Sequence, residues 1–260
     1  MIESTDQLNI TIRLETNPVR IVSLVPSQTE LLYDLQLDEA VVGITKFCIH
    51  PDTWFQRKQR IGGTKNVNIE KVRELQPDLI IGNKEENTQS DIEQLRKIAP
   101  VWMSDIDTLE QALEMILEIG KLTDRKTESN SIVQATRINF EKLEHVIERQ
   151  WTCLYFMWKD PYFTVGTNTF IHAMIQSCGG INLQTATRYP EWDFSQPVSP
   201  DVILLSTEPY PFNESHVAFF RDKYPAAKIL LVDGEYFSWY GSRLEKAPAY
   251  FEQLVTAIHS

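Results

Sequence analysis

Apolar residues fall in short blocks along this chain, and two of the blocks match. Residues 77–82 read Pro-Asp-Leu-Ile-Ile-Gly, and residues 200–206 read Pro-Asp-Val-Ile-Leu-Leu-Ser. A proline-led apolar run that stops at a small residue is the pattern of a strand buried on both faces. Each run is followed by a polar loop, an amphipathic segment and a further apolar run, Pro100–Met103 in one half and Lys228–Val232 in the other. Arg20–Val25, Ala40–Ile44 and Thr152–Trp158 read as strands of the same kind. Ser27-Gln28-Thr29-Glu30 has the form of a capping box opening a helix to Leu35. Thr45–Asn68 reads as a long loop, and Ile69–Leu75 as a short helix. The stretch Asn83–Ser90 reads as a polar loop. Thr108–Leu122 carries Leu109, Leu113, Ile116 and Ile119 on one helical stripe. Thr123–Gln150 repeats apolar residues at steps of three and four (Ile132, Thr136, Phe140, Leu143, Ile147) with no glycine or proline, which predicts one long helix. Thr167 or Asn168 is expected to cap a helix that ends at Gly179-Gly180. Glu214–Tyr224 reads as another helix, and Pro248 fits the first turn of a terminal one.

The fold class this predicts is α/β: two Rossmann-like lobes, 1–122 and 151–260, joined by one long bridging helix, 123–150. Ligands of parallel α/β sheets sit at the carboxyl ends of the strands, so a ligand cleft is expected between the lobes.

Composition narrows the partners. The net charge is −11, which disfavours nucleic acid and anionic membrane surfaces, since both need a basic face. No apolar stretch has the length of a membrane span, so direct membrane insertion is not expected. The first sixteen residues are polar and show no signal-peptide core. Three cysteines, Cys48, Cys153 and Cys178, have no paired spacing and imply no disulfide framework. There is no nucleophile elbow, phosphate loop or Ser–His–Asp order, so no enzyme and no intrinsic cofactor are expected.

Four loops supply the candidate chemistry. Cys48 and His50 can together reach one soft or borderline metal ion, or an axial position on a chelated metal; the alternative is a buried small cysteine and a capping histidine. Glu85, Glu86 and Asn87 follow a buried strand and can ligate a cation or grip amides and hydroxyls; Asn87 can both donate and accept. Trp158 and Tyr162 lie in a run too aromatic for a solvated turn and suit the flat face of a macrocycle. Glu208 and Tyr210 follow the repeated strand of the second half, where Glu208 mirrors Glu85. Trp239, Tyr240 and Arg243 can clamp a planar or anionic ligand, the alternative for Arg243 being an internal pair with a glutamate. Arg188, on a proline-bounded loop, completes the rim.

Several motifs stand in a telling order: Arg20-Ile-Val-Ser-Leu-Val-Pro-Ser27 with Thr29-Glu30-Leu31, Val42-Gly43, Asn68-Ile-Glu-Lys-Val72, Pro77-Asp-Leu-Ile-Ile81, the predicted bridge, and Gly179-Gly-Ile-Asn182. Their order and spacing resemble the helical-backbone substrate-binding proteins of ABC importers, and among them the cobalamin-binding-like group. The resemblance covers nearly the whole chain. It implies a monomeric, non-enzymatic receptor, outside the cytoplasm, for a metal chelate, foremost a corrinoid. Haem, a siderophore or a bare metal ion held by Cys48, His50, Glu85 and Glu208 are alternatives, as is a cytoplasmic corrinoid carrier or sensor. It further implies docking on an ABC permease through Glu70. The second docking glutamate has no counterpart, because 193–200 is too short and too rich in proline and serine for the helical turn that would carry it.

Overall fold

A computed structural model describes all 260 residues. The chain divides into two compact units. The first comprises residues 1–106, 110–135 and 240–243; the second comprises residues 107–109, 136–239 and 244–260.

The first unit opens with a hairpin of β1 (Ile2–Thr5) and β2 (Thr11–Leu14), then β3 (Ile21–Ser23), α1 (Pro26–Asp34) and β4 (Val41–Ile44). The stretch expected to be one long loop is partly built. It holds α2 (Asp52–Arg57), β5 (Gln59–Arg60), and a hairpin of β6 (Gly62–Gly63) and β7 (Asn66–Val67). Then come α3 (Ile69–Glu74), β8 (Leu79–Asn83), α4 (Gln89–Leu95), β9 (Val101–Ser104) and α5 (Leu109–Leu122). The parallel sheet runs β5-β4-β3-β8-β9. The chain leaves β3 on one side and returns on the other, so the reversal of strand order flanks β3, where open α/β sheets place their ligands.

Helix α6 (Lys126–Val146) is one continuous element. Its buried positions, Ser129, Ile132, Val133, Thr136, Phe140 and Leu143, recur at helical spacing.

In the second unit β10 (Trp151–Trp158) is followed by β11 (Phe163–Thr164), α7 (Phe170–Ser177), β12 (Gly180–Asn182), β13 (Val202–Ser206), α8 (Glu214–Lys223), β14 (Lys228–Val232), α9 (Glu235–Ser238), a 3₁₀ turn at Ser242–Glu245 and α10 (Ala247–His259). The sheet order is β11-β10-β13-β14, with β12 also pairing parallel to β10. Thr169 caps α7 by accepting from the His172 N–H at 3.2 Å, in place of Thr167 or Asn168; Asn168 takes a positive φ of 57° and leaves the next residue to start the helix.

The repeated Pro-Asp motif has one mechanical role in both units. The Asp78 carboxylate accepts from the Val19 and Arg20 N–H groups at 2.8 and 3.0 Å, where the chain enters β3. The Asp201 carboxylate accepts from the N–H and hydroxyl of Thr152, both at 2.7 Å, at the start of β10. Each aspartate ties off donors that a strand end leaves unpaired and fixes its register against the next strand. The strands that follow, β8 and β13, are buried at all five positions.

Helix α1 does not begin with a capping box. Its N-cap is Val25, with no side-chain cap, and Pro26 takes the first helical position. Proline has no N–H to satisfy and its fixed φ suits that place. Glu30 is drawn away by Arg243, as described below.

Candidate functional site

In the first unit the loops after β4 and β8 stand at the carboxyl ends of the strands. Asn83 builds the second loop. Its Oδ1 accepts from the Glu85 and Glu86 N–H groups at 2.8 and 3.1 Å, and its Nδ2 donates to Ser104 Oγ at 3.0 Å. The turn presents Glu85 and Glu86, both half-buried. Burial pushes the Glu86 carboxyl above the usual glutamate range, the like charge of Glu85 adds to this, and Lys65 offsets part of it. Asn87 is not available to a ligand. Its Oδ1 accepts from the Asn83 N–H at 2.9 Å, its Nδ2 donates to the Thr64 carbonyl at 2.9 Å, and it is buried. The amide that suited a ligand is spent on closing its own loop.

Cys48 is likewise corrected. Its side chain is fully buried, and its Sγ lies 3.1 Å from both Thr29 Oγ1 and Thr45 Oγ1. Burial raises the thiol pKa, against the opposing effect of those hydroxyls. His50 is half-buried two residues further on. No group of three or more His, Cys, Asp or Glu side chains is placed to hold a metal ion. Phe47 and Ile49, on either side of Cys48, are 51% and 46% exposed. Sequence reading passed over both. They lie in a turn, where the Cys48 N–H donates to the Thr45 carbonyl at 3.2 Å and the Ile49 N–H to the Phe47 carbonyl at 2.9 Å, so no strand or helix period marks them.

In the second unit Trp158 ends β10 and is 41% exposed, its ring edge-on to Tyr210 at 6.0 Å. Tyr210 is half-buried, its hydroxyl 3.1 Å from His216 Nε2. His216 Nδ1 accepts from the Asn213 N–H, so Nε2 carries the proton and donates to Tyr210. Tyr162, the other aromatic residue expected at the ligand, is half-buried and packs on its neighbours. It stacks on Phe219 at 5.3 Å and meets Phe156, Phe194 and Phe220 edge-on, as part of the unit's aromatic core.

Glu208 Oε1 accepts from Ser238 Oγ at 2.5 Å, and the Tyr155 hydroxyl donates to Ser206 Oγ at 2.9 Å. Gly234 makes this possible, since a Cβ there would lie 2.4 Å from Ser206 Oγ and 2.5 Å from Glu208 Cγ. Trp239 and Tyr240 are buried, 7% and 6% exposed. Arg188 is bound to Asp107 Oδ1 at 3.2 Å and to the Asn168 carbonyl at 2.8 Å. Arg243 forms a two-pronged pair with Glu30, Nε to Oε2 at 2.9 Å and Nη2 to Oε1 at 2.8 Å, with side chains 13% and 16% exposed. Both arginines expected at the ligand thus have internal partners.

Glu70 stands exposed in the first turn of α3, 3.4 Å from Arg73, on a helix capped by Asn68. Between Asn182 and Val202 the second unit has no helix. Trp192 and Phe194 anchor that stretch, through a 2.8 Å hydrogen bond from Trp192 Nε1 to the Tyr224 hydroxyl and a stack of Phe194 on Phe156.

Two α/β units with apolar and acidic side chains at the carboxyl ends of parallel strands define a solute-binding architecture. The family model described as periplasmic binding protein matches residues 21–222, and the chain belongs to that family. A cobalamin-binding protein of Halobacterium salinarum is 29% identical over 212 residues, 76% of this chain; the chain spans 57% of that relative's length. Among solved structures, the periplasmic vitamin B12 binding protein of Vibrio cholerae superposes with a TM-score of 0.80 at 19% identity, over 94% of this chain and 98% of that one. A periplasmic heme-binding protein of Roseiflexus sp. RS-1 gives 0.81 at 20% identity, over 93% and 99%. Likeness at this identity establishes the fold.

Proposed function

We propose that this chain is a non-enzymatic receptor that captures a corrinoid and delivers it to an ABC importer, with loops at the carboxyl ends of its parallel strands as the gripping elements. One observation carries the choice of ligand. Those loops present exposed apolar side chains (Phe47, Ile49, Trp158) and half-buried carboxylates (Glu85, Glu86, Glu208); Lys84 is paired with Asp105, Lys46 is their other exposed cation, and Arg188 and Arg243 are engaged with Asp107 and Glu30. Haem carries two carboxylates and siderophore chelates are often anionic; an acidic rim repels both. A corrinoid has a broad apolar ring edged with uncharged amides, which carboxylates and aromatic faces accommodate. The relatives that bind cobalamin support the same reading.

In this reading Phe47 and Trp158 are ligand contacts, Glu85, Glu86 and Glu208 line the rim, and Tyr210 supports Trp158. Glu70 meets the permease, and an importer role puts the protein outside the cytoplasm. Absorption titration with aquocobalamin and, in parallel, with haemin tests it. Saturable binding of aquocobalamin with haemin bound at least tenfold more weakly is expected; the reverse order would transfer the assignment to haem.

A further inference from the structure

Among the side-chain polar atoms of the first unit that are buried without a hydrogen-bond partner are Ser27 Oγ, Gln28 Oε1 and Ser242 Oγ. Their residues are 3%, 0% and 5% exposed. Native interiors seldom leave such atoms unsatisfied, and each instance calls for a reason. Here their residues belong to the first turn of α1 and to the segment packed against it. Ser27 and Gln28 are the second and third residues of α1, a nine-residue helix whose N-terminus has no side-chain cap and no acidic residue in its first turn. Ser242 belongs to the segment Tyr240–Arg243, which lies along the same turn. A Cβ on Gly241 would sit 2.4 Å from the Ser27 carbonyl oxygen and 3.3 Å from Leu31 Cβ, and Arg243 grips Glu30 one turn further on. Gln28 is fixed from behind, its Nε2 donating to Ser104 Oγ at 2.7 Å, so the orphan is its acceptor end alone.

The first turn follows β3, where the strand order reverses. It therefore stands where an α/β sheet receives a ligand. An uncapped helix start offers backbone N–H donors, and two serine hydroxyls donate as well. Gln28 Oε1 only accepts. A group that satisfies this set must present an acceptor and a donor side by side. A carboxylate fails, since it would face Gln28 Oε1 oxygen to oxygen. A primary carboxamide fits: its oxygen takes the donors and its NH₂ serves Gln28.

We infer that the first turn of α1, with Ser242 above it, is a seat for a primary carboxamide of the ligand, entered as the segment Tyr240–Arg243 lifts. This rests on the corrinoid reading above, because carboxamides edge the corrin ring and are absent from haem. The seat distinguishes ligands by the functional group at the ring's edge, independently of the ring itself and of the metal.

The test pairs two probes and one variant. Dicyanocobinamide carries carboxamides, and dicyanocobyrinic acid carries carboxylic acids on the same macrocycle. Titrations are followed by absorption at about 0.5 M salt, where charge repulsion from the rim is largely screened. The wild-type chain is expected to bind cobinamide at least tenfold more tightly than cobyrinic acid. The double variant Ser27→Ala/Ser242→Ala is expected to weaken cobinamide binding about tenfold, the loss of two ordinary hydrogen bonds. Its thermal midpoint should stay level or rise, since unsatisfied hydroxyls have been removed. Cobinamide binding within twofold of wild type in the variant would overturn the seat and leave the corrinoid reading standing. Should the variant fail to fold, the probe comparison on the wild-type chain decides: equal affinity, or preference for the acid, overturns the seat. Binding of neither probe would remove the seat and the corrinoid reading together.

Discussion

Replacing Trp158 with alanine separates a ligand contact from a merely exposed ring. Trp158 is 41% exposed at the end of β10. A tryptophan side chain offers up to ~250 Å² of surface, so ~100 Å² remains for a ligand to cover. At ~25 cal/mol per Å², complete cover is worth about 2.5 kcal/mol, and cover of one ring face about half of that. Trp158→Ala is therefore expected to raise the dissociation constant for aquocobalamin roughly 10- to 60-fold. The same sum applied to Phe47, 51% exposed, gives a similar loss for Phe47→Ala, since a phenylalanine offers roughly 200 Å². Titration by absorption or by quenching of tryptophan fluorescence reads the constant directly. Tyr162→Ala is the control: its half-buried ring packs on Phe156, Phe194, Phe219 and Phe220, so it should lower stability more than affinity. A Trp158→Ala protein with wild-type affinity, to within twofold, would refute the reasoning that exposed rings at the strand ends grip the ligand.

The other predictions concern groups whose partners are now known. Arg243→Gln leaves Glu30 without its counter-charge at a site where the two side chains are 13% and 16% exposed; the expected loss is about 2–3 kcal/mol in urea unfolding, with Arg243→Met/Glu30→Met recovering most of it. Cys48→Ala should cost about 1–2 kcal/mol of stability and leave any ligand-induced absorption shift unchanged, because the thiol faces Thr29 and Thr45; a lost shift would restore Cys48 as a metal ligand. Glu86 holds its proton more tightly in the folded chain than in the unfolded one, through burial first and Glu85 second, so its effect on stability turns unfavourable as pH climbs from the ordinary glutamate range through the raised value. Glu86→Gln should accordingly raise the thermal midpoint at about pH 8 and leave it unchanged at about pH 4; a gain at the acid end alone would contradict that sign.

Element positions were legible in the sequence because burial repeats with the period of the backbone, and two Pro-Asp strands announced two sheets. The commitments of single polar side chains were not legible, and the reason is physical. A loop that follows a buried strand must satisfy its own backbone, and asparagine, threonine and serine are the residues that do so. They are also the residues that suit a ligand. Asn87 reads as an ideal amide contact until its two ends are found on the Asn83 N–H and the Thr64 carbonyl. Arg243 and Glu30 are 213 positions apart, a pairing no local pattern can signal. Cys48 is buried against the hydroxyls of Thr29 and Thr45, of which the first is nineteen positions away. Aromatic residues mislead in the opposite sense, since the run that holds Trp158 also holds Tyr162, and only packing tells an enclosed ring from an exposed one.

This sorting bears on mechanism. Among the residues first singled out for ligand contact, the forked cations and the best amide are spent on the fold. The exposed ring of Trp158 is not. Affinity built mainly on apolar cover responds weakly to salt, whereas affinity built on arginine–carboxylate pairs falls as salt rises. An acidic rim acts as exclusion: it costs a neutral amide-edged ring little and an anionic one much. Raising salt should therefore leave corrinoid affinity nearly constant while narrowing the gap to haemin, because screening removes the repulsion and leaves the apolar grip in place. A corrinoid affinity that fell steeply with salt would mean that the charges attract the ligand after all, and that a cationic centre of the chelate is what Glu85, Glu86 and Glu208 recognise.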